Sequence, residues 1–141
     1  DVMHDAERCL GFSFEYNSKK LTYASDIGFA DKVVKENFKN SDVIVLESNY
    51  DLNMLMNGPY HWNLKNRVKS KNGHLSNGEA AKLIMEVATS RLKKVYLLHI
   101  SGDNNTPELA YNTVKELLDR ENINVELEVV TEKATLIYEV L

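Results

Sequence analysis

The chain has 141 residues, a size that suits one domain, and 43% of them are hydrophobic while 27% are charged. No apolar run approaches the roughly 18 residues that a membrane-spanning helix needs, so the sequence predicts no membrane partner. The formal net charge of −4 excludes a uniformly basic domain, and the single cysteine, Cys9, excludes an internal disulfide and favours a reducing, cytoplasmic location.

The first segments predict a β-hairpin followed by a helix. Residues 11–16 and 20–24 alternate apolar and polar side chains, and Asn17, Ser18 and Lys19 between them are typical of a turn. The second strand ends in a polar tip, SDIG at 25–28, which contains Asp26. Residues 30–38 have helical spacing, with Asp31 in the first turn near the positive end of the helix dipole.

A fully apolar strand, DVIVL at 42–46, comes next and ends in ESNYD at 47–51. Two short helices are predicted at about 52–56 and 61–70. Residues 52–78 contain no acidic residue but carry a basic stretch of Lys65, Arg67, Lys69 and Lys71. A local basic segment in an acidic chain indicates an anionic partner, although a solvated helix and loop would explain it equally well.

The rest of the chain alternates helices and strands. Ser76 or Asn77 can cap a helix over residues 78–90, VYLL at 95–98 reads as a buried strand, and Thr106-Pro107 is typical of the start of a helix to about residue 121. A more exposed strand is predicted at 124–131 and a last short strand at 136–140. This order predicts an α/β fold in which a layered mixed sheet packs against helices.

Polar residues that belong in sites stand at the ends of three predicted strands: Asp26, Glu47 and His99. His4, just before the first strand, is a fourth candidate. Open α/β sheets place their ligands at the carboxyl ends of strands, and imidazole with carboxylate suits zinc or manganese. The simpler alternative for His99 is a side chain that caps its strand and bonds to backbone.

Five motifs carry a family resemblance, and they occur in the correct order with matching gaps: HDA, GFSFEYNSKKLTYASDIG, DVIVLESNYD, GHLSN and YLLHISGDNN. Over residues 4–114 the chain resembles the C-terminal half of the metallo-β-lactamase fold, and in particular the WalJ/YycJ-like family of DNA exonucleases. The resemblance implies half of an αββα sandwich. The HxHxDH signature of the other half is absent, and the sequence opens on Asp1 without an initiating Met. We therefore expect residues 1–141 to be a single C-terminal half-domain of a longer protein.

The resemblance also implies a metal site. His4 would complete the first metal site, Asp26 would bridge two divalent ions, zinc or manganese, and His99 would close the second site. The fragment alone would hold no metal or one weakly bound ion. Glu47 and His74 would form a catalytic pair in which the carboxylate fixes the imidazole tautomer and His74 aids departure of the leaving oxygen. Alternatively, this pair is a structural hydrogen bond that ties a loop to the sheet.

For the complete protein, the resemblance implies a DNA substrate. Its phosphates would contact the basic residues and Asn49, and the metal ligands would be supported from behind by Asn49, Asn104 and Asn105. Asn105 could equally be a turn residue ahead of a helix. Where this chain has Tyr50, the WalJ-like proteins usually have a histidine, so no role is carried over to that position.

The sequence thus predicts a fragment of a metal-dependent hydrolase, a phosphodiesterase or DNA exonuclease with a dinuclear metal site, inactive on its own. Two alternatives remain open: a metallo-hydrolase of a small ester or thioester, and a non-catalytic α/β interaction module. The face left exposed by the missing half would favour a homo-oligomer or association with another chain.

Overall fold

A computed structural model describes residues 11–131 of the chain. His4, Cys9 and the strand predicted at 136–140 lie outside the described residues. The described part forms five strands and five helices, in this order: β1 (Gly11–Tyr16), β2 (Lys19–Ala24), α1 (Lys32–Phe38), β3 (Val43–Glu47), α2 (Leu52–Asn57), α3 (Trp62–Lys69), α4 (Asn77–Val87), β4 (Lys94–Leu98), α5 (Pro107–Arg120) and β5 (Glu126–Val129).

The strands form one mixed sheet in the order β1-β2-β3-β4-β5. β1 and β2 are antiparallel, whereas β2, β3, β4 and β5 are parallel to their neighbours. In the central pair, Leu46 of β3 lies opposite Leu97 of β4. Every parallel step crosses over through at least one helix, as parallel strands require. The predicted mixed α/β layer is confirmed.

The hairpin between β1 and β2 is closed by two residues in the left-handed region, Asn17 at φ 48° and Ser18 at φ 62°. Two successive positive φ values are typical of the type I′ turn, whose twist matches that of paired strands. The turn sets the register in which Tyr16 lies opposite Lys19 and Phe12 lies opposite Tyr23. The predicted hairpin is confirmed, with its second strand starting one residue earlier.

Local capping chemistry fixes where the longer helices begin. Ser76 and Glu79 form a reciprocal capping box at the start of α4, and Thr106 caps α5 with Pro107 inside its first turn. Asp31 accepts from the backbone N–H of Val34, so it is the N-cap of α1 and not a residue of its first turn. These caps satisfy backbone donors that a helix leaves unpaired.

The hydrophobic core lies between one face of the sheet and helices α1, α4 and α5. It is built from alternate strand residues and the inward helix faces, including Ile44, Leu46, Val95, Leu97, Val34, Ile84, Val114 and Leu118. The opposite face of the β1–β2 hairpin carries aromatic side chains, of which Phe14 is 62% and Tyr16 80% exposed. Within residues 11–131, no helix combines the length and apolar character that crossing a bilayer demands.

A buried carboxylate at the amino ends of the parallel strands ties three segments together. Asp42 is 4% exposed, and it accepts from the backbone N–H of Lys20 at 2.8 Å and from the Arg91 guanidinium at 2.6 Å. Burial alone would raise the pKa of Asp42, but the hydrogen bonds from Arg91 and Lys20 outweigh it and hold that pKa below its ordinary value. Ionised Asp42 therefore stabilises the folded state.

The pH dependence of stability tests this role. Because the folded pKa of Asp42 is depressed, its contribution is complete above the ordinary value of 3.8 and is lost as pH falls through the lower folded pKa. We expect Asp42→Asn to reduce the free energy of unfolding at pH 7 by about 1–3 kcal/mol and to flatten the decline below about pH 4. Urea unfolding at several pH values measures both effects. The exposed Glu121→Gln is the control, and an unchanged acid limb in Asp42→Asn would contradict the assignment.

Candidate metal centre

Four metal-ligating side chains meet at the carboxyl edge of the sheet. Asp26 follows β2, Glu47 ends β3 and His99 follows β4, and these parallel strands finish at the same edge. His74 comes from the segment between α3 and α4. One ligand atom from each of the four residues lies within 4.8 Å of the others. The structure therefore brings together Asp26, Glu47, His74 and His99, while His4 lies outside the described residues and stays a prediction.

Glu47 is the centre of this cluster, and its side chain has no exposure to solvent. Oε2 lies 3.0 Å from Nδ1 of His99 and 3.2 Å from Nδ1 of His74, and it also accepts from the backbone N–H of Asp26 at 3.1 Å. Oε1 accepts from the backbone N–H groups of Ile27 and Leu75, each at 3.0 Å. One buried carboxylate thus joins all the loops that carry the other site residues.

These contacts decide the charge on Glu47. Burial alone would raise its pKa, but hydrogen bonds from His74, His99 and the backbone of Leu75 outweigh burial and hold the pKa of Glu47 below its usual range. Glu47 is therefore an ionised acceptor whose oxygens are already engaged. Its geometry suits a carboxylate that orients imidazoles better than one that ligates a metal directly.

The two imidazoles share this acceptor. A carboxylate accepts only, so Nδ1 of each ring carries the proton that is donated toward Glu47, and Nε2 of each neutral ring keeps its lone pair. The rings of His74 and His99 stand edge to face with their centroids 5.2 Å apart. The hydrogen bond to Glu47 and the charges of Asp26 and Glu47 raise the pKa of His99, although partial burial opposes this.

Asp26 and His99 both have left-handed backbone, each at φ 56°. Non-glycine residues adopt this region at a cost and only where the surroundings hold them there. The Glu47 carboxylate accepts from the N–H groups of Asp26 and Ile27, and the Asn49 side-chain amide donates to the carbonyl of His99 at 2.9 Å. These bonds hold the two turned residues with their side chains in one crevice, 3.1 Å apart between Oδ1 and Nδ1.

The structure shows Asn49 engaged within the protein, and its predicted contact with substrate stays a prediction. Asn49 is 8% exposed, its amide is engaged with His99, and its backbone carbonyl accepts from Ser101 N–H at 2.8 Å. It supports the His99 loop from behind, which is the other role that the sequence suggested.

A buried amide pair underlies the same loops. Asn105 Nδ2 donates to the carbonyls of Ser48 and Asn49 at 2.9 and 3.2 Å, and Asn77 Nδ2 donates to Asn105 Oδ1 at 3.0 Å. Asn105 Oδ1 also accepts from the N–H of Thr106. Asn105 is therefore both a support of the site loops and the turn residue ahead of α5, so its two predicted roles coincide.

The sequence analysis identified Asn77 only as a possible helix cap. It is 1% exposed and its Oδ1 accepts from the Ser48 hydroxyl at 2.6 Å. An asparagine directly after a capping serine has no local pattern that reveals burial, because its partners lie 28 and 29 residues away. Asn104 contributes through its backbone. Its N–H donates to the Ser101 hydroxyl, and its carbonyl accepts from the N–H of Asp51.

Tyr50, to which the sequence analysis carried over no role, is packed away from solvent at 2% exposure. Burial, followed by the neighbouring Glu79, raises the pKa of Tyr50 far above its ordinary value. The phenol is neutral at any physiological pH. Its backbone carbonyl accepts from Asn77 N–H, so this position links β3 to the start of α4.

The basic stretch divides into two kinds of residue. The Lys65 side chain turns inward, and its ammonium group donates to the carbonyls of Met56 and Gly58 at 2.7 and 2.8 Å. Two backbone acceptors already hold this cation, and the predicted contact of Lys65 with phosphate stays a prediction that this placement does not favour. Arg67, Lys69 and Lys71 are exposed. The ammonium group of Lys71 lies 5.2 Å from the centre of the Phe29 ring.

Two glycines allow close backbone contacts beside the site. A Cβ on Gly28 would lie 2.4 Å from the carbonyl oxygen of Lys71, and one on Gly73 would lie 2.2 Å from that of Val68. Only glycine permits this approach of the backbones, which presses the Asp26 turn against the segment leading into His74. The contact of Gly28 depends on a distant segment, so its neighbours in sequence give no sign of it, whereas Gly73 packs against Val68 only five residues earlier.

The donor chemistry fits a divalent cation. Asp26 offers a half-exposed carboxylate, the two rings offer nitrogen atoms, and a carboxylate that is fully engaged orients both rings. Histidine with carboxylate is a common ligand set for zinc and for manganese or iron. The geometry can place a cation beside a proton-carrying imidazole at the open edge of the sheet.

Comparison with known proteins places this arrangement in context. A family model described as a beta-lactamase superfamily domain matches residues 1–100. The chain is 37% identical over 124 residues to Exodeoxyribonuclease YycJ of Bacillus anthracis, which is 88% of this chain and 47% of that protein. It is 34% identical over 124 residues to Exodeoxyribonuclease WalJ of Streptococcus pneumoniae serotype 2, at 88% and 46% coverage. The chain thus spans about half the length of the curated relatives it matches.

Solved structures show the same fold. The metallo-beta-lactamase fold protein YhfI from Bacillus subtilis matches with a TM-score of 0.63 at 14% identity, over 92% of this chain and 43% of that one. A diphosphatase from the PhnP family matches with a TM-score of 0.54 at 14% identity, over 99% of this chain and 42% of that one. At this identity the likeness concerns the fold, and it confirms the predicted metallo-β-lactamase architecture.

The central role of Glu47 predicts a contrast between two carboxylate variants. Glu47→Gln presents an amide N–H₂ to donors and leaves buried groups unpaired, so we expect it to lower the free energy of unfolding by about 3 kcal/mol. Asp26→Asn should change it by less than about 0.5 kcal/mol, because Asp26 is 45% exposed and asparagine accepts left-handed backbone. Urea unfolding measures both. Equal losses in the two variants would show that Glu47 does not organise the site.

Proposed function

This chain belongs to the beta-lactamase superfamily, and on that premise we propose that it forms the C-terminal half of a metal-dependent phosphodiesterase that degrades DNA. The observation that carries the proposal is the cluster at the carboxyl edge of the sheet. There the buried Glu47 carboxylate orients two imidazoles beside the accessible carboxylate of Asp26. The matched relatives named as exodeoxyribonucleases support DNA as the substrate.

Metal binding and the positioning of the metal ligands are assigned to different residues of the cluster. Asp26 and His99 would hold the metal, with His4 as a further ligand predicted from the sequence. A bound divalent ion would supply Lewis acidity toward a phosphoryl oxygen, and two such ions, zinc or manganese, are the expectation for the complete protein. Glu47 keeps Nδ1 of His99 protonated and its Nε2 available for coordination.

His74 is assigned to proton transfer. Its Nδ1 faces Glu47 Oε2 at 3.2 Å, and its side chain is 24% exposed, so the ring is held from behind and open in front. A protonated Nε2 would donate to the departing oxygen of the cleaved phosphodiester and would recover its proton from water. Glu47 acts through the imidazoles and is a positioning residue.

The chain lacks the HxHxDH signature, and its described residues provide few ligands for two metal ions. We propose that the remaining ligands come from another part of the complete protein, that residues 1–141 alone bind metal weakly, and that catalysis requires both halves. The exposed aromatic face of the β1–β2 hairpin, with Phe14 and Tyr16, is a surface that such a partner could cover.

DNA would approach the carboxyl end of α3, where the exposed cations stand. Residues 52–78 have no acidic side chain to repel phosphate, and Arg67, Lys69 and Lys71 are exposed at the carboxyl end of that helix. This end lies against the Asp26 turn through Gly28, so a strand held there would lie next to the metal ligands. Lys65 and Asn49 are left out of this surface.

Replacement of His99 tests the proposed activity in the complete protein. We expect His99→Ala to lower the metal content and to reduce metal-dependent cleavage of bis(p-nitrophenyl) phosphate and of DNA at least about 100-fold. Metal analysis and steady-state rates measure the two effects.

The matched control is His61→Ala, since His61 is exposed at the start of α3 and its side chain makes no capping hydrogen bond. It should retain cleavage of the small phosphodiester. Full activity in His99→Ala would refute the site assignment. Wild-type protein that binds DNA without any metal-dependent cleavage would favour the non-catalytic interaction module.

A further inference from the structure

The two imidazoles of the metal centre lie on segments that lead directly into helices. His74 stands three residues before Asn77, the first residue of α4. His99 stands six residues before Asn105, which directly precedes the N-cap of α5. Asn77 and Asn105 are 1% and 3% exposed, although asparagine is ordinarily a surface residue. A contact that fixes these two asparagines therefore also fixes where the two imidazole-bearing segments lie relative to each other.

The side chains of the two asparagines form a reciprocal amide pair. Asn77 Nδ2 donates to Asn105 Oδ1 at 3.0 Å, and Asn105 Nδ2 donates to Asn77 Oδ1 at 2.8 Å. Backbone partners set the orientation of the Asn105 amide, because its Oδ1 accepts from the N–H of Thr106 and its Nδ2 donates to the carbonyl of Ser48. Turning either amide over would oppose donor to donor and acceptor to acceptor, so the pair has one arrangement.

The amide pair also reaches the residues that follow β3. The Ser48 hydroxyl donates to Asn77 Oδ1 at 2.6 Å, and Asn105 Nδ2 also donates to the carbonyl of Asn49 at 3.2 Å. The side-chain amide of Asn49 in turn donates to the carbonyl of His99 at 2.9 Å. A continuous series of hydrogen bonds thus runs from the start of α4 to the backbone of His99.

Such a pair contributes orientation more than stability. The net free energy of a buried hydrogen bond is small, because both amides lose their bonds to water on folding, and apolar groups of the same shape could fill the space without that loss. A hydrogen bond, however, requires a narrow range of distances and angles, which apolar contacts do not. Two opposed hydrogen bonds between the same side chains therefore hold the two segments at one distance and one relative angle.

We propose that the Asn77–Asn105 pair sets the separation of the two imidazole rings, whose centroids lie 5.2 Å apart. Both asparagines are positioning residues. They act through the backbone of the segments that carry His74 and His99, whereas Glu47 contacts the rings themselves. This inference rests on the proposed function, because the ring separation matters to the chemistry where one ring ligates the metal and the other donates a proton.

The ring separation can be measured without metal. In the complete protein in EDTA, with ¹³C-labelled histidine, the nuclear Overhauser effect between carbon-bound protons of the two rings reports their contact. We expect this signal in the wild type and its loss in Asn77→Ala and Asn105→Ala. Removal of either amide leaves buried donors and acceptors of its partner unpaired, so the two segments shift to satisfy them.

Affinity for Zn²⁺ alone is the second readout, measured in the complete protein by competition with a chromogenic chelator. Loss of a group that supports metal ligands lowers metal affinity about 10- to 100-fold, and because these asparagines act through the backbone we expect about 10-fold for each alanine variant. The double variant Asn77→Ala/Asn105→Ala should lose no more than the larger of the single losses, since the two residues act as one pair.

Aspartate variants test the direction of each hydrogen bond. Asn77→Asp keeps an oxygen that accepts from Ser48 and Asn105, so it should lose less Zn²⁺ affinity than Asn77→Ala. Asn105→Asp loses every hydrogen bond that its side chain donates and buries a charge against carbonyl oxygens, so it should lose at least as much as Asn105→Ala. The control is Val34→Ala in α1, which opens a cavity in the core. It should reduce the free energy of unfolding but keep the ring contact and the Zn²⁺ affinity.

Alanine variants that are less stable but keep the wild-type ring contact and Zn²⁺ affinity would overturn the proposal and make the pair a structural contact alone. Equal losses in Val34→Ala would also overturn it, because the effect would then follow from stability. Should Asn105→Asp fail to fold, the comparison of Asn77→Asp with Asn77→Ala decides. If the wild type binds no Zn²⁺ and cleaves no phosphodiester, the proposed function fails, and the ring contact in metal-free protein still decides this inference.

Discussion

A buried carboxylate is the constraint on which the site depends. Glu47 has no contact with solvent, and an ionised carboxylate in such a place is tolerated only when its oxygens are fully engaged. Its five donors come from the Asp26 turn, the His74 segment and the His99 loop. Satisfying Glu47 therefore brings together segments that lie up to 52 residues from it in the sequence, and it sets the positions of the side chains that can hold a metal.

The two residues with strained backbone beside Glu47 are each held in place by a buried side chain. Asp26 and His99 occupy left-handed backbone, and each is held by a neighbour that is itself buried: Glu47 for the first and the amide of Asn49 for the second. Asn49 in turn receives a hydrogen bond from Asn105. A network in which every member is engaged keeps a ligand set rigid before any metal arrives, and such preorganisation strengthens binding and catalysis.

Much of this could be read from the sequence. Apolar runs and caps located the strands and helices, and parallel strands that end in Asp26, Glu47 and His99 had to meet at one edge. The sequence could not show that Glu47 is buried or that Lys65 turns inward, because both depend on partners that only tertiary packing supplies. A lysine in a basic run carries no sign that backbone carbonyls will capture it. The metal ligands implied by family resemblance remain predictions, His4 among them.

The most direct test of the account is the tautomer of the two imidazoles. Long-range ¹H–¹⁵N correlation spectra of metal-free protein at about pH 9 report which ring nitrogen carries the proton in each neutral histidine, and residues 1–141 contain only four histidines. We expect the Nδ1–H form for both His74 and His99, with Nε2 unprotonated. An Nε2–H form in either ring would mean that Glu47 does not orient that imidazole, and the proposed division between metal ligand and proton donor would fail.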